Sequence, residues 1–300
     1  MRVMMLLKSD AQSEAGVPPH EQMLTDMGNY CEELVKAGVM LGAEGLHPTS
    51  KGAKVRISKG KTTVLDGPFA EAKEVVAGYF MLKVKDLAEA IEWTKKLPGA
   101  EYTPEGEAEL RPLYETEDFP VDAAEQPGGW RDQEIEARKQ LEASVPGPEK
   151  GQRWISFLKA DKNTEAEIDP SPQLLEEMGA LMGEMHDKGL LISGEGLRAS
   201  KHGAKVRIKN KKITVVDGPF TEAKELVAGW SMFRAKTKAE AIEWARRCLD
   251  IHMRGTGIDT GEIEVRPVYE TEEIPATAEE QAGASSWREQ EQRRREQLGQ

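Results

Sequence analysis

The chain has 300 residues, 38% of them hydrophobic, and a formal net charge of −12 at pH 7, enough apolar material for two ordinary cores. The acidic balance, with basic residues scattered among acidic ones, argues against direct nucleic-acid binding, because phosphate contacts need a concentrated basic patch. The opening Met1-Arg2-Val3-Met4-Met5-Leu6-Leu7 meets Lys8 at once and is too short for a signal peptide or membrane span, so a cytoplasmic location is expected.

The pattern predicts a first strand over 3–7. A helix follows over 21–37, with Met23, Leu24, Met27, Cys31 and Leu34 at helical spacing and Gly38 where a left-handed cap is common. A second strand covers 39–46. Residues 54–57 and 62–65 read as a hairpin around the Gly60 turn. After a strand over 78–84, Asp86 is placed to cap a helix through 96, whose apolar side carries Leu87, Ala90, Ile91 and Trp93. Alternating residues 107–114 close the unit. The order β-α-β, hairpin, β-α-β predicts a ferredoxin-like α+β sandwich with an inserted hairpin, its helices on one face of an antiparallel sheet.

The whole order then returns. An offset of 151 residues carries Glu44-Gly45-Leu46 onto Glu195-Gly196-Leu197 and Asp66-Gly67-Pro68-Phe69 onto Asp217-Gly218-Pro219-Phe220. Four extra residues later, Arg111-Pro112-Leu113-Tyr114 reappears as Arg266-Pro267-Val268-Tyr269. Two units are therefore expected, at 1–119 and 152–275, joined by a linker over 120–151 and followed by a tail over 276–300. Linker and tail each carry a charged, helix-favouring stretch, opened by Trp130 and Trp287, without a heptad. One unit alone would leave a sheet face open, so the two are expected to bury that face against each other as an internal pseudo-dimer. A monomer in solution follows.

The duplication marks the polar residues that recur: Glu44/Glu195, Lys54/Lys205, Arg56/Arg207, Asp66/Asp217, Glu71/Glu222, Lys73/Lys224, Glu74/Glu225 and Arg111/Arg266. Asp66-Gly67-Pro68 has a purely structural reading as a turn in which Asp caps its own backbone. The functional reading makes Phe69 a pocket wall, with Glu71 and Lys73 aimed into a cleft beside Asp66. A carboxylate near a Lys in a partly dry pocket can act as a base or hold a polar ligand. Lys54 and Arg56 lie opposite the apolar Val55 and Ile57, facing either solvent or that cleft. Glu44 precedes Gly45 at a strand end, toward the same loop. Asp66 and Asp217 are thus the catalytic candidates. The ligand-binding candidates are Glu44, Arg56, Phe69, Glu71 and Lys73, with Glu195, Arg207, Phe220, Glu222 and Lys224 in the second copy.

No His recurs. His20 aligns with Ser171, His47 with Arg198, His186 with Val35 and His202 with Lys51, while His252 falls at the insertion. Imidazole chemistry or a His-based metal site common to both units is disfavoured, and each His is expected at the surface. Cys31 and Cys248 align with Met182 and Leu97, so a disulfide framework or two-Cys metal site is not expected either. No cofactor is expected. An oxygen site for magnesium or calcium, from Glu44, Asp66 and Glu71, stays open.

These segments, from Glu44-Gly45-Leu46-His47-Pro48 through Asp66-Gly67-Pro68-Phe69-Ala70-Glu71-Ala72-Lys73-Glu74 to Ala90-Ile91-Glu92-Trp93, resemble the YCII-related family and its DGPF branch. The second copy matches at Asp217-Gly218-Pro219-Phe220-Thr221-Glu222-Ala223-Lys224-Glu225 and Ala241-Ile242-Glu243-Trp244. The resemblance implies a dimeric α+β barrel, made here by one chain. It implies a poorly defined role: some members are thought to be small enzymes related to muconolactone-isomerase-like barrels, and others are encoded beside or fused to ECF sigma factors. The family is credited with a His-Asp pair whose His lies in the first helix; His20 is the nearest candidate, and its second-copy partner is Ser171. Two function classes result. One is a small-molecule-binding barrel with lyase- or isomerase-like acid/base chemistry. The other is a non-catalytic protein acting with a sigma factor.

Overall fold

The computed structural model describes residues 1–69, 75–99, 102–115, 118, 146–220, 226–270 and 273. The first unit runs β1 (Arg2–Lys8), α1 (Ala11–Glu14), α2 (Glu21–Lys36), β2 (Met40–Gly45), β3 (Ala53–Ser58), β4 (Lys61–Asp66), β5 (Val76–Lys83), α3 (Leu87–Lys95) and β6 (Glu105–Pro112). The second repeats it as β7 (Gln152–Lys159), α4 (Lys162–Glu165), α5 (Pro172–Asp187), β8 (Leu191–Gly196), β9 (Ala204–Lys209), β10 (Lys212–Asp217), β11 (Val227–Ala235), α6 (Lys238–Thr256) and β12 (Thr260–Pro267). The charged linker stretch and the tail lie outside the described residues.

Local chemistry sets the ends of these elements. The Asp86 carboxylate accepts from the Glu89 amide at 2.9 Å, and Thr237 does the same for α6 at 3.2 Å. His20 and Ser171, aligned but chemically different, play the same part, since each caps its helix, through the Gln22 and Leu174 amides. Gly38 follows the end of α2 at φ 68°, a conformation that costs glycine little. In the first hairpin Lys59 and Gly60 both have positive φ, the geometry of a tight turn whose twist matches its strands.

The structure departs from the expected topology in the placement of the hairpins. The two sheets are ordered β10-β9-β6-β1-β5-β2 and β4-β3-β12-β7-β11-β8, all antiparallel where paired. Each hairpin therefore joins the sheet of the other unit: β3 pairs with β12, from Thr260 opposite Ser58 to Val265 opposite Ala53, and β9 pairs with β6. Burial shows what holds the exchange. Ala53, Val55 and Ile57 enter the core beneath α5 and α6, and Val206 enters the core beneath α2 and α3. Fully burying a Val or Ile side chain contributes about 1.5–3 kcal/mol.

A third cluster lies between the sheets. Met4, Leu6, Tyr79 and Met81 of the first meet Ile155, Phe157, Trp230 and Met232 of the second. Strands β1 and β7 are buried on both faces, which is why they read as continuous apolar runs. The protein is thus a mixed α+β fold of two units with two open antiparallel sheets, and neither sheet closes on itself as the barrel reading implies. Among the described residues no helix is long and apolar enough to cross a membrane.

Candidate functional site

The Gly67–Phe69 turn is fixed by its neighbours. The Phe69 amide donates to Thr49 Oγ1 at 3.1 Å, and Thr49 in turn donates from its amide and hydroxyl to Glu14. The second copy repeats this with Phe220, Ser200 and Glu165. A Cβ on Gly67 would stand 1.8 Å from the Thr49 carbonyl oxygen, and one on Gly218 equally close to that of Ser200, so only glycine fits. Lys54 lies over the Phe69 ring and Lys205 over that of Phe220, each 4.8 Å from the centroid.

Among the described residues Asp66 lines no cleft. Its side chain is 74% exposed and pairs with Lys238 at 2.6 Å, a surface contact of at most about 1 kcal/mol. Asp217 is exposed too, as are Arg56 and Arg207, the latter bound to Glu107. Glu71, Lys73, Glu222 and Lys224 lie outside the described residues.

Behind each turn lies a buried charge network. Arg111, fully buried, binds Glu109 at 3.1 Å and Glu165 at 3.3 Å, and donates to the Arg198 carbonyl at 2.6 and 3.0 Å. Arg266 repeats this with Glu264 at 3.0 Å, Glu14 at 3.7 Å and the His47 carbonyl. Lys8 reaches Glu109, and Lys159 reaches Glu264, at 3.4 and 3.8 Å. Burial pushes the Glu109 and Glu264 carboxyls up, but the surrounding cations outweigh it and hold both below the usual carboxylate range. Burial pushes Lys159 down, with Glu264 opposing. The opposite charges compensate one another, although Glu109 Oε2 meets its cations only at 3.4 Å and beyond without a hydrogen bond, and the network bridges the turns and the exchanged hairpins.

Glu44 and Glu195 do not face the turn either. Glu44 accepts from Arg153 at 2.5 Å and Glu195 from Arg2 at 2.6 Å, each pair crossing between units. Glu270 and Glu115 complete the pairs. Gly45 and Gly196 leave room beside them for Tyr269 and Tyr114, each from the opposite unit. Beyond the ion pairs, the described residues leave a cleft of about 2220 Å³ lined from β8, β11, α5 and α6 of the second unit and from β2 and β5 of the first. Trp230 lines it, 8% exposed, and its indole N–H has no acceptor among the described residues.

Two histidines expected at the surface are buried, because each has a carboxylate that satisfies its ring. His47 is 2% exposed, its ring tilted against that of Tyr269 with centroids 3.8 Å apart and lying 3.0 Å from Glu273, and burial lowers its pKa despite Glu273. His252 is 6% exposed, lines the cleft, and meets Asp161 at 2.7 Å. Asp161 also caps α4, and although burial raises its pKa, His252 and the Thr164 and Asn163 amides hold it down. Sequence reasoning missed this pair because neither its His nor its geometry recurs. It also missed Glu14/Glu165 and Arg2/Arg153, which recur at the 151-residue offset, and Glu109/Glu264, which recur once the four-residue insertion is counted. Among the described residues no group of three or more His, Cys, Asp or Glu side chains is placed to hold a metal ion.

The YCII-related domain matches residues 1–117 and again residues 154–272. The chain belongs to the YCII-related family. Each of its two matched domains lends its hairpin to the sheet of the other. An uncharacterized protein of Rhizobium meliloti (strain 1021) is 36% identical over 93 residues, covering 31% of this chain and 74% of the relative. That stretch is shorter than one matched domain of this YCII-related protein.

Proposed function

We propose that this YCII-related protein binds a small polar organic molecule in the cleft lined mainly by its second unit. The observation that carries the reading is the buried Trp230 indole N–H without an acceptor among the described residues, since an unpaired buried donor costs about 1–3 kcal/mol and a ligand oxygen would relieve it. His252, oriented by Asp161, lines the same cleft from α6, across the second sheet from Trp230, and is the acid/base candidate in place of the exposed Asp66 and Asp217. On this reading the DGPF segments that motivate assignment to the DGPF branch act as latches, and the two facing sheets are the one-chain counterpart of a dimeric barrel. The protein works as a cytoplasmic monomer without a metal or organic cofactor.

A metabolite screen by thermal shift tests this. A hit should stabilise the wild type and the Asp66→Asn, Asp217→Asn double variant alike, and should lose most of its effect with Trp230→Phe or His252→Gln. A hit that stabilises all of them equally would refute the site. No hit would favour the second reading, a non-catalytic interaction protein acting with a sigma factor. The observation behind that alternative is the apolar surface of the outer hairpin strands, where Val64, Leu65, Ile213, Val215 and Val216 are exposed.

A further inference from the structure

The two units fill their cores differently. In the first, Met5 and Phe80 project beneath α2, and Phe80 meets Tyr30 edge to face at 5.6 Å, with the Tyr30 hydroxyl donating to the Trp93 carbonyl. At the aligned positions the second unit has Ser156, Ser231 and Leu181. Three large side chains are exchanged for smaller ones here, while beside them on the same face Val3 and Leu82 give way to the larger Trp154 and Phe233. Ser156 and Ser231 face each other across β7 and β11, 2.7 Å apart, 1% and 6% exposed, and both line the cleft together with Leu174, Met178 and Cys248.

We infer that this hollow between α5 and the second sheet is an apolar subsite for a neutral molecule of one aromatic ring or comparable alkyl bulk bearing a single hydroxyl or carbonyl, held by the Ser156–Ser231 pair. The inference rests on the ligand-binding reading above and refines its ligand: the polar part is a single hydroxyl or carbonyl, carried on an apolar body. Losing a Phe ring and a Met chain opens space of the order that takes a benzene ring, about 150 Å³. The walls are Leu and Met, so the ligand's body is apolar. The two hydroxyls bond each other when the site is empty and can turn one donor and one acceptor toward a ligand oxygen. Burial pushes the Cys248 thiol up to about 12, so that part of the wall is uncharged. The first unit, with its ring-filled core, has no equivalent.

Benzyl alcohol and toluene serve as probes, followed by ligand-observed NMR on the full chain. Wild type should bind both, and benzyl alcohol more tightly. Ser231→Ala keeps the space and removes a hydroxyl, so toluene should bind as before and benzyl alcohol roughly three- to tenfold more weakly. The Ser156→Met, Ser231→Phe variant restores the first unit's residues. It should stay folded, with an unchanged or raised Tm, and lose both probes. Unfolding or a lowered Tm would mean that no space exists, and retained probe binding would place the site elsewhere; either overturns the inference. A library hit that survives the filling substitutions overturns this inference alone, whereas absence of any hit, probes included, overturns the parent reading as well.

Discussion

Replacing Arg266 with Met should cost about 3–5 kcal/mol of unfolding free energy, among the largest effects available to a single substitution in this chain. The guanidinium is fully buried and supplies Glu264, Glu14 and the His47 carbonyl at once. Methionine fills most of the volume but leaves Glu264 buried with Lys159 3.8 Å away and Lys54 beyond it as its cations among the described residues. Arg266→Lys should recover little, because one ammonium cannot reach acceptors spread around a planar fork. The defect should also depend on pH. Despite burial, cations hold the Glu264 carboxyl below its ordinary value, so its contribution to wild-type stability is present above the unfolded-state pKa and is lost as pH falls. The gap between variant and wild type should therefore narrow on the acid side. Denaturant melts at neutral and acid pH measure it. A cost below about 1 kcal/mol at neutral pH would show that the network is not what holds the turns.

Residues 1–119 produced alone should not fold as a monomer. Their strand β6 would lose β9, and Ala53, Val55 and Ile57 would lose the cover of α6. Met4, Leu6, Tyr79 and Met81 would lose the opposing sheet as well. At about 1.5–3 kcal/mol for each large apolar side chain returned to water, the loss exceeds the 5–15 kcal/mol by which domains are ordinarily stable. Sedimentation with a thermal melt should find either an unfolded chain or a dimer in which two copies exchange hairpins. A cooperatively folded monomer would contradict the fold.

Much of the local structure was legible because its signals are local. Gly38, the Asp86 cap and the Gly60 turn each act within a few residues. The destination of the hairpin was not. Strand β3 presents Ala53, Val55 and Ile57 on one face whichever sheet it joins, and the duplication makes β6 and β12 near-equivalent edges. Only the packing of α6 over those side chains separates the two pairings. Glu14 and Glu165 sit in four-residue helices, too short for a periodic signal. Recurrence picked out Asp66 because a turn whose next residue must be glycine recurs as faithfully as a catalytic group. The same filter hid Ser156 and Ser231, since it favours what the two copies share, and the hollow lies where they differ.

The central claim is that each unit is completed by the other's hairpin. Ser58 and Thr260 lie directly opposite across β3 and β12, with their hydroxyl oxygens 2.9 Å apart. If the hairpin stayed on its own sheet, Ser58 would instead face Glu105, the residue that aligns with Thr260. Mild oxidation of the Ser58→Cys, Thr260→Cys variant should close an intramolecular disulfide in the monomer, and the Ser58→Cys, Glu105→Cys variant should stay reduced. Closure of the second pair and not the first would contradict the account.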